Sequence, residues 1–163
     1  TVSESTAVYY KFVMSGKIAA SGNIMSLLDK TCKSTTISNN YCYYYMFYGC
    51  TSLTTAPSLP ATTLVNDCYR NMFHGCKSLT TAPSLPATTL ANNCYRNMFR
   101  DCTSLQVYSS SGTGHTKAWR IPTSGSASSY TSQTSMFYGC PGSYKTTSTV
   151  SLNTTFYTQN TLV

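Results

Sequence analysis

One interval governs this chain. Cys42, Cys68 and Cys94 stand 26 residues apart, and Cys50, Cys76 and Cys102 keep the same step. So do Met46, Met72 and Met98, and Phe47, Phe73 and Phe99. The block SLTTAPSLPATTL occurs unchanged at 52–64 and again at 78–90. A unit this short cannot enclose a core of its own. It buries its apolar face only against the neighbouring units, so the period predicts a solenoid whose structural ladder consists of those cysteine, methionine and phenylalanine columns.

Within one unit, CYRNMF puts Cys68, Met72 and Phe73 on one face of a helical turn or two. Arg70 and Asn71 are then expected to point outward, with Gly75 ending the helix in a left-handed conformation. SLTTAPSLP predicts a short strand with Leu53, Ala56 and Leu59 inward. Pro57 and Pro60 lack the N–H that a long ladder needs, so the strand must be brief. ATTL returns across the back on Leu64 and Leu90. The expected fold is an α/β solenoid of about four to five repeats, each a short parallel strand plus a short helix.

The ends depart from the period. Residues 1–25 are rich in β-formers and turn residues and predict an N-terminal β cap of two strands in a hairpin or meander. Residues 26–142 hold the repeats, and 143–163 predict a β cap at the other end. Caps are required because the last coil of a stack otherwise exposes an apolar face and an unpaired edge. MFYGC returns at 136–140, which is 38 residues after the previous copy, the period plus 12. Most of the extra length falls in an insertion at 109–120.

Eight cysteines raise the question of bridges. Two cysteines eight positions apart on a helix would lie about 12 Å from each other, beyond disulfide reach. Equivalent cysteines in stacked coils come within about 5 Å, but with parallel side chains and an odd number in each column. Unbridged thiols filling a repeating core slot are the expectation. No Cys/His spacing suits zinc, and no metal or other cofactor is expected.

Only 9% of the residues are charged, and serine and threonine fill the polar positions. The net charge of +7 reflects scarce acids, Glu4, Asp29, Asp67 and Asp101, more than clustered bases. Scattered cations argue against a nucleic-acid footprint and leave a weak general attraction to anionic glycans or envelopes. The sequence has no apolar run long enough to span a membrane, no signal-peptide pattern and no lipidation motif. Direct membrane insertion is therefore not expected, and any anchor would lie outside these residues.

The pattern MFxGCxSLxxAPxLPxxxLxxxCY resembles the BspA-like leucine-rich repeats of bacterial surface proteins. Met-Phe stands where that family has Ala-Phe, Ala56 and Ala82 replace its valine, and Leu59-Pro60 and Leu85-Pro86 replace its Ile-Pro. The likeness covers about residues 42–105 with a degenerate coil on each side. The 26-residue variant also looks like sequences carried by gut bacteria and their phages. The resemblance implies a right-handed, leucine-rich-repeat-like coil with a stacked strand face, in proteins that bind ligands and adhere at surfaces.

Three features are candidates for binding. One is the strand-face ladder, with Thr55, Pro57 and Ser58 stacked on Thr81, Pro83 and Ser84, a flat array of small hydroxyls suited to an extended polymer or a protein. Another is the run of tyrosines at Tyr41, Tyr43, Tyr44, Tyr45 and Tyr48, continued by Tyr69 and Tyr95. The third is the insertion, where Tyr108, His115, Lys117, Trp119 and Arg120 gather the chain's single tryptophan and local positive charge. Catalysis is not expected. His74 occupies a slot held elsewhere by Tyr48, Arg100 and Tyr138, and no carboxylates pair at a motif spacing. The expected role is a non-enzymatic recognition or adhesion module, extracellular, on a cell surface or on a virion. Its partner would be a protein or glycan surface. The alternative is a structural or receptor-binding component of a phage particle or filament, partnered by neighbouring subunits.

Overall fold

The computed structural model describes residues 11–87, 89–105 and 135–140. Five phenylalanine rings set its frame. Phe12 lies on Phe47 with centroids 5.1 Å apart, Phe47 on Phe73 at 5.4 Å, Phe73 on Phe99 at 5.4 Å, and Phe99 on Phe137 at 5.9 Å. Each ring marks one layer of chain, numbered here one to five. Beside this column runs a second one, in which Tyr43, Tyr69 and Tyr95 stack at 5.5 and 6.2 Å. Met25, Met72, Met98, Leu53, Leu79 and Leu105 fill the space between, all at 0% exposure. Met46 and Cys42 are half-buried on the edge of this core.

The backbone explains the spacing. In layers two and three, odd-numbered N–H groups donate to the next layer: Tyr43 to Cys68, Tyr45 to Arg70, Phe47 to Met72, then Tyr69 to Cys94, Asn71 to Arg96 and Phe73 to Met98. Even-numbered N–H groups close turns within their own layer, Met46 on Tyr43, Tyr48 on Tyr45, Met72 on Tyr69 and His74 on Asn71. Every fourth residue has positive φ: Tyr41, Tyr45 and Gly49; Asp67, Asn71 and Gly75; Asn93, Asn97 and Asp101. These are overlapping four-residue turns, several with the left-handed residue in the third place, where glycine and asparagine are favoured.

The helical turns expected over CYRNMF are therefore not what forms. The described residues contain no α-helix and one short 3-10 helix, Ile24–Leu27, whose first turn is capped by the Asn23 side chain accepting from the Met25 N–H. Rings stacked a little over 5 Å apart leave no room for helices, which pack with axes about 8–10 Å apart. Half of the N–H groups also serve the neighbouring layer and cannot close a helix. Arg70 and Asn71 consequently do not point outward: they are 9% and 3% exposed.

The first layer differs from expectation too. Residues 11–25 do not fold on themselves as a hairpin but lie parallel to the second layer. β1 (Ile18–Ala19) pairs in parallel with β2 (Leu53–Thr55). The Phe12 N–H donates to Met46 just as that of Phe47 donates to Met72. The reason is spacing: Phe12, Ile18 and Ile24 repeat the intervals of Phe47, Leu53 and Leu59. Between layers one and two, an exposed loop is tied by Asp29, whose carboxylate accepts from the Thr31, Lys33 and Ser34 N–H groups and the Thr31 hydroxyl. Those donors hold its carboxyl at a pKa of about 2. Residues 1–10 of the N-terminal cap, the 109–120 insertion and the C-terminal cap at 143–163 lie outside the described residues.

The two cysteine columns are built differently. In one, Cys68 and Cys94 are buried fillers beside the tyrosine ladder. In the other, each thiol donates to the phenylalanine carbonyl one layer back: Cys50 to Phe12 at 3.2 Å, Cys76 to Phe47, Cys102 to Phe73 and Cys140 to Phe99, each at 3.1 Å. The carbonyl of Phe47 also accepts the Cys50 N–H, so its two lone pairs serve two layers. All eight cysteines carry free thiols.

Candidate binding surfaces

Proline opens a groove on the strand face. Layers two and three are joined by Thr55 pairing with Thr81 and by the Ser78 N–H donating to Thr51. Beyond that point no backbone hydrogen bond links 56–60 to 82–86, both of which are described. Ser58 has its N–H and C=O committed to Gly22 and Ile24 of the first layer. By strand alternation the peptide groups of Pro57 and Leu59 face the third layer, and Pro57 has no hydrogen to donate. The result is an open groove of about 390 Å³, lined by 56–60 on one side and Pro83, Ser84 and Pro86 on the other.

The groove gathers two of the four strand-face hydroxyls singled out from the sequence. Ser58 and Ser84 line it, and both are exposed. Thr55 and Thr81 are also exposed and pair with each other at its edge. The Ser58 hydroxyl donates to Gly22 at 3.0 Å, so toward a ligand it offers acceptor lone pairs. Leu59 is buried and Leu85 half-buried beneath them. Such a trough suits an extended chain that brings its own donors and rests on an apolar floor. The insertion candidates Tyr108, His115, Lys117, Trp119 and Arg120 fall outside the described residues.

The tyrosines divide by layer position. Tyr43, Tyr69 and Tyr95 are core residues at 1% exposure each. The Tyr43 hydroxyl donates to Ile24 at 3.3 Å, whereas that of Tyr69 has no hydrogen-bond partner among the described residues. Tyr41, Tyr44, Tyr45 and Tyr48 line the turn face, in edge-to-face contacts with centroids 4.2 to 5.5 Å apart. Sequence reasoning missed their cationic neighbours on that face: Lys11, Arg70 and Arg100 lie over the Tyr48, Tyr44 and Tyr138 rings. The slot shared by Tyr48, His74, Arg100 and Tyr138 was the available signal, because one position repeated through stacked layers is one continuous column.

The core thiols are unreactive. Burial pushes the Cys68 and Cys140 thiols up to about 12, and those of Cys76, Cys94 and Cys102 upward as well, so no activated thiolate arises in the core. Among the described residues no three His, Cys, Asp or Glu side chains converge as a metal site. No helix there is long and apolar enough to cross a membrane. Comparison with protein-family models, curated proteins and solved structures finds no match for this chain.

Proposed function

We propose that the chain is a turn-built solenoid acting as a non-enzymatic recognition module, displayed outside the cell, that holds an extended protein or glycan segment along its strand face. The observation that carries this reading is the proline-opened groove between 56–60 and 83–86. It is open and edged by exposed hydroxyls, which fits a polymer better than a compact substrate. The resemblance to BspA-like repeats supports the same role, adhesion at a surface. Ser58→Tyr with Ser84→Tyr fills the groove from its exposed rim. Binding to intact cells or mucin-type glycoprotein is expected to fall at least tenfold, with the melting temperature within a few degrees of the parent. Undiminished binding by the filled variant refutes the groove as the site.

A second reading is a structural component of a virion or filament. It is favoured by the apolar surface of the first layer, where Phe12 is 49% and Val13 89% exposed beside a pocket of about 270 Å³. Concentration-dependent end-to-end assembly in sedimentation, abolished by Val13→Lys, is the result that selects it.

A further inference from the structure

The turn face carries a second continuous surface, distinct from the groove. Along the stack its order is Lys11, Tyr48, His74, Arg100 and Tyr138, one group for each of the five layers. The Lys11 ammonium lies 5.5 Å from the Tyr48 ring centre, and the His74 ring meets Tyr48 edge-on at 4.9 Å. The Arg100 guanidinium lies 4.9 Å from the Tyr138 ring centre. Arg70 covers Tyr44 at 5.5 Å, and Arg96 takes the same place one layer on.

Two features decide what such a stripe can bind. Cations already occupy faces of Tyr44, Tyr48 and Tyr138, so these rings are poorly placed to stack on a base or a sugar. Tyr44 and Tyr48 are half-buried and Tyr138 exposed, so phenol hydroxyls stand among guanidinium and ammonium N–H groups in a row rich in donors. Charge is the other feature. The carboxylates on this face are already engaged, Asp67 with Arg70 at 3.1 Å and Asp101 with His74 at 3.3 Å and Arg100 at 3.5 Å. Arg70 is buried against Asp67, which leaves the exposed Lys11 and the half-buried Arg96 and Arg100 to give this face its positive character, on a chain whose net charge is +7.

We propose that this stripe binds an acidic polysaccharide, its carboxylate or sulfate groups accepting hydrogen bonds from Lys11, Arg100 and the Tyr48 hydroxyl. Repetition at one layer per step matches a polymer whose acidic groups recur at short, regular intervals. Single-stranded nucleic acid also pairs charge with aromatics, but its affinity draws on stacking against free ring faces.

Affinity electrophoresis of the full chain tests the proposal, with polygalacturonate, heparin, neutral dextran or polyadenylate in the gel. Retardation by polygalacturonate or heparin but not by dextran is expected, weakening steeply with salt because the contacts are ionic. The two acidic polymers distinguish carboxylate from sulfate as the preferred group. Lys11→Ala with Arg100→Gln is expected to weaken binding at least tenfold, and Tyr48→Phe, which keeps the ring and removes the hydroxyl, severalfold. The groove variant at Ser58 and Ser84 is expected to bind the acidic polymers as the parent does, so failure of one surface does not decide the other. Absence of retardation by both acidic glycans, parent-like affinity in the Lys11/Arg100 variant, or tighter binding of polyadenylate each overturns the proposal. Circular dichroism of each variant guards against misfolding, and Lys11→Ala alone, at an exposed position, remains decisive if the double variant unfolds.

Discussion

At Cys76 the sulfur fills a core slot at 0% exposure and also donates to the Phe47 carbonyl one layer back. Alanine removes both contributions and is expected to cost about 1–3 kcal/mol in urea unfolding. Serine keeps a donor opposite the same carbonyl, so Cys76→Ser should cost less than Cys76→Ala. A reversed order would mean that volume alone matters there. His74 offers a residue-scale test by pH. Its ring nitrogens face Asn71 and Asp101, with Tyr48 and Arg100 alongside, and burial leads the effects that lower its pKa below 6.5. The folded state thus prefers the neutral ring. Its contribution is fully present above the unfolded value and is lost as pH falls from there through the lower folded one. Between about pH 7 and about pH 5 the parent should lose more stability than His74→Tyr, which installs the residue that layer two has in that slot.

Turns explain why the element was misread from sequence while the column was not. A four-residue turn period is close to the helical 3.6, so Cys68 and Met72 satisfy both, and apolar spacing cannot separate them. The discriminating signal lay in the polar residues: Asp67, Asn71 and Gly75, then Asn93, Asn97 and Asp101, each four apart and all at positive φ. Glycine, asparagine and aspartate tolerate that conformation, in which other residues lose roughly 1–2 kcal/mol. Asn97→Ala is therefore expected to destabilise by about 1 kcal/mol and Asn97→Gly to be nearly neutral, as read from thermal melts. Equal effects would argue that the side chain, and not the backbone, holds the turn. The core columns were legible because a fixed 26-residue step makes identical residues neighbours whatever the local conformation. The groove was half legible. Pro57 and Pro60 announced a broken ladder, but whether the gap closes by other contacts depends on backbone positions that no single residue encodes.

The layers together form a register, and register can be tested by subtraction. Removing 68–93 deletes one period and joins Asp67 to Cys94, so odd and even peptide groups keep their separate duties. The shortened chain should fold with a lower melting temperature and an unchanged spectrum. Removing 68–92 instead, one residue fewer, puts Asn93 where Cys68 stood opposite Tyr43, so the odd and even duties mismatch at that seam unless the loop before it absorbs a residue. That chain should melt below the whole-period deletion, and if both deletions melt alike, the register proposed for these layers is wrong.

The unchanged block at 52–64 and 78–90 has a consequence for the gene. Stacking constrains its buried positions, such as Leu53 and Leu79, yet the exposed Thr63 and Thr89, which lie outside the groove, are identical as well. Residues that the core does not hold in place have had little time to diverge, which is the mark of a recent tandem duplication. Each layer bonds chiefly to its immediate neighbours, so an inserted or lost period leaves the remaining contacts intact and selection has little to reject. Near-identical tracts also invite unequal crossover during replication. Alleles of this locus should therefore differ in length by whole multiples of 26 codons, with the ends held constant while the middle expands and contracts.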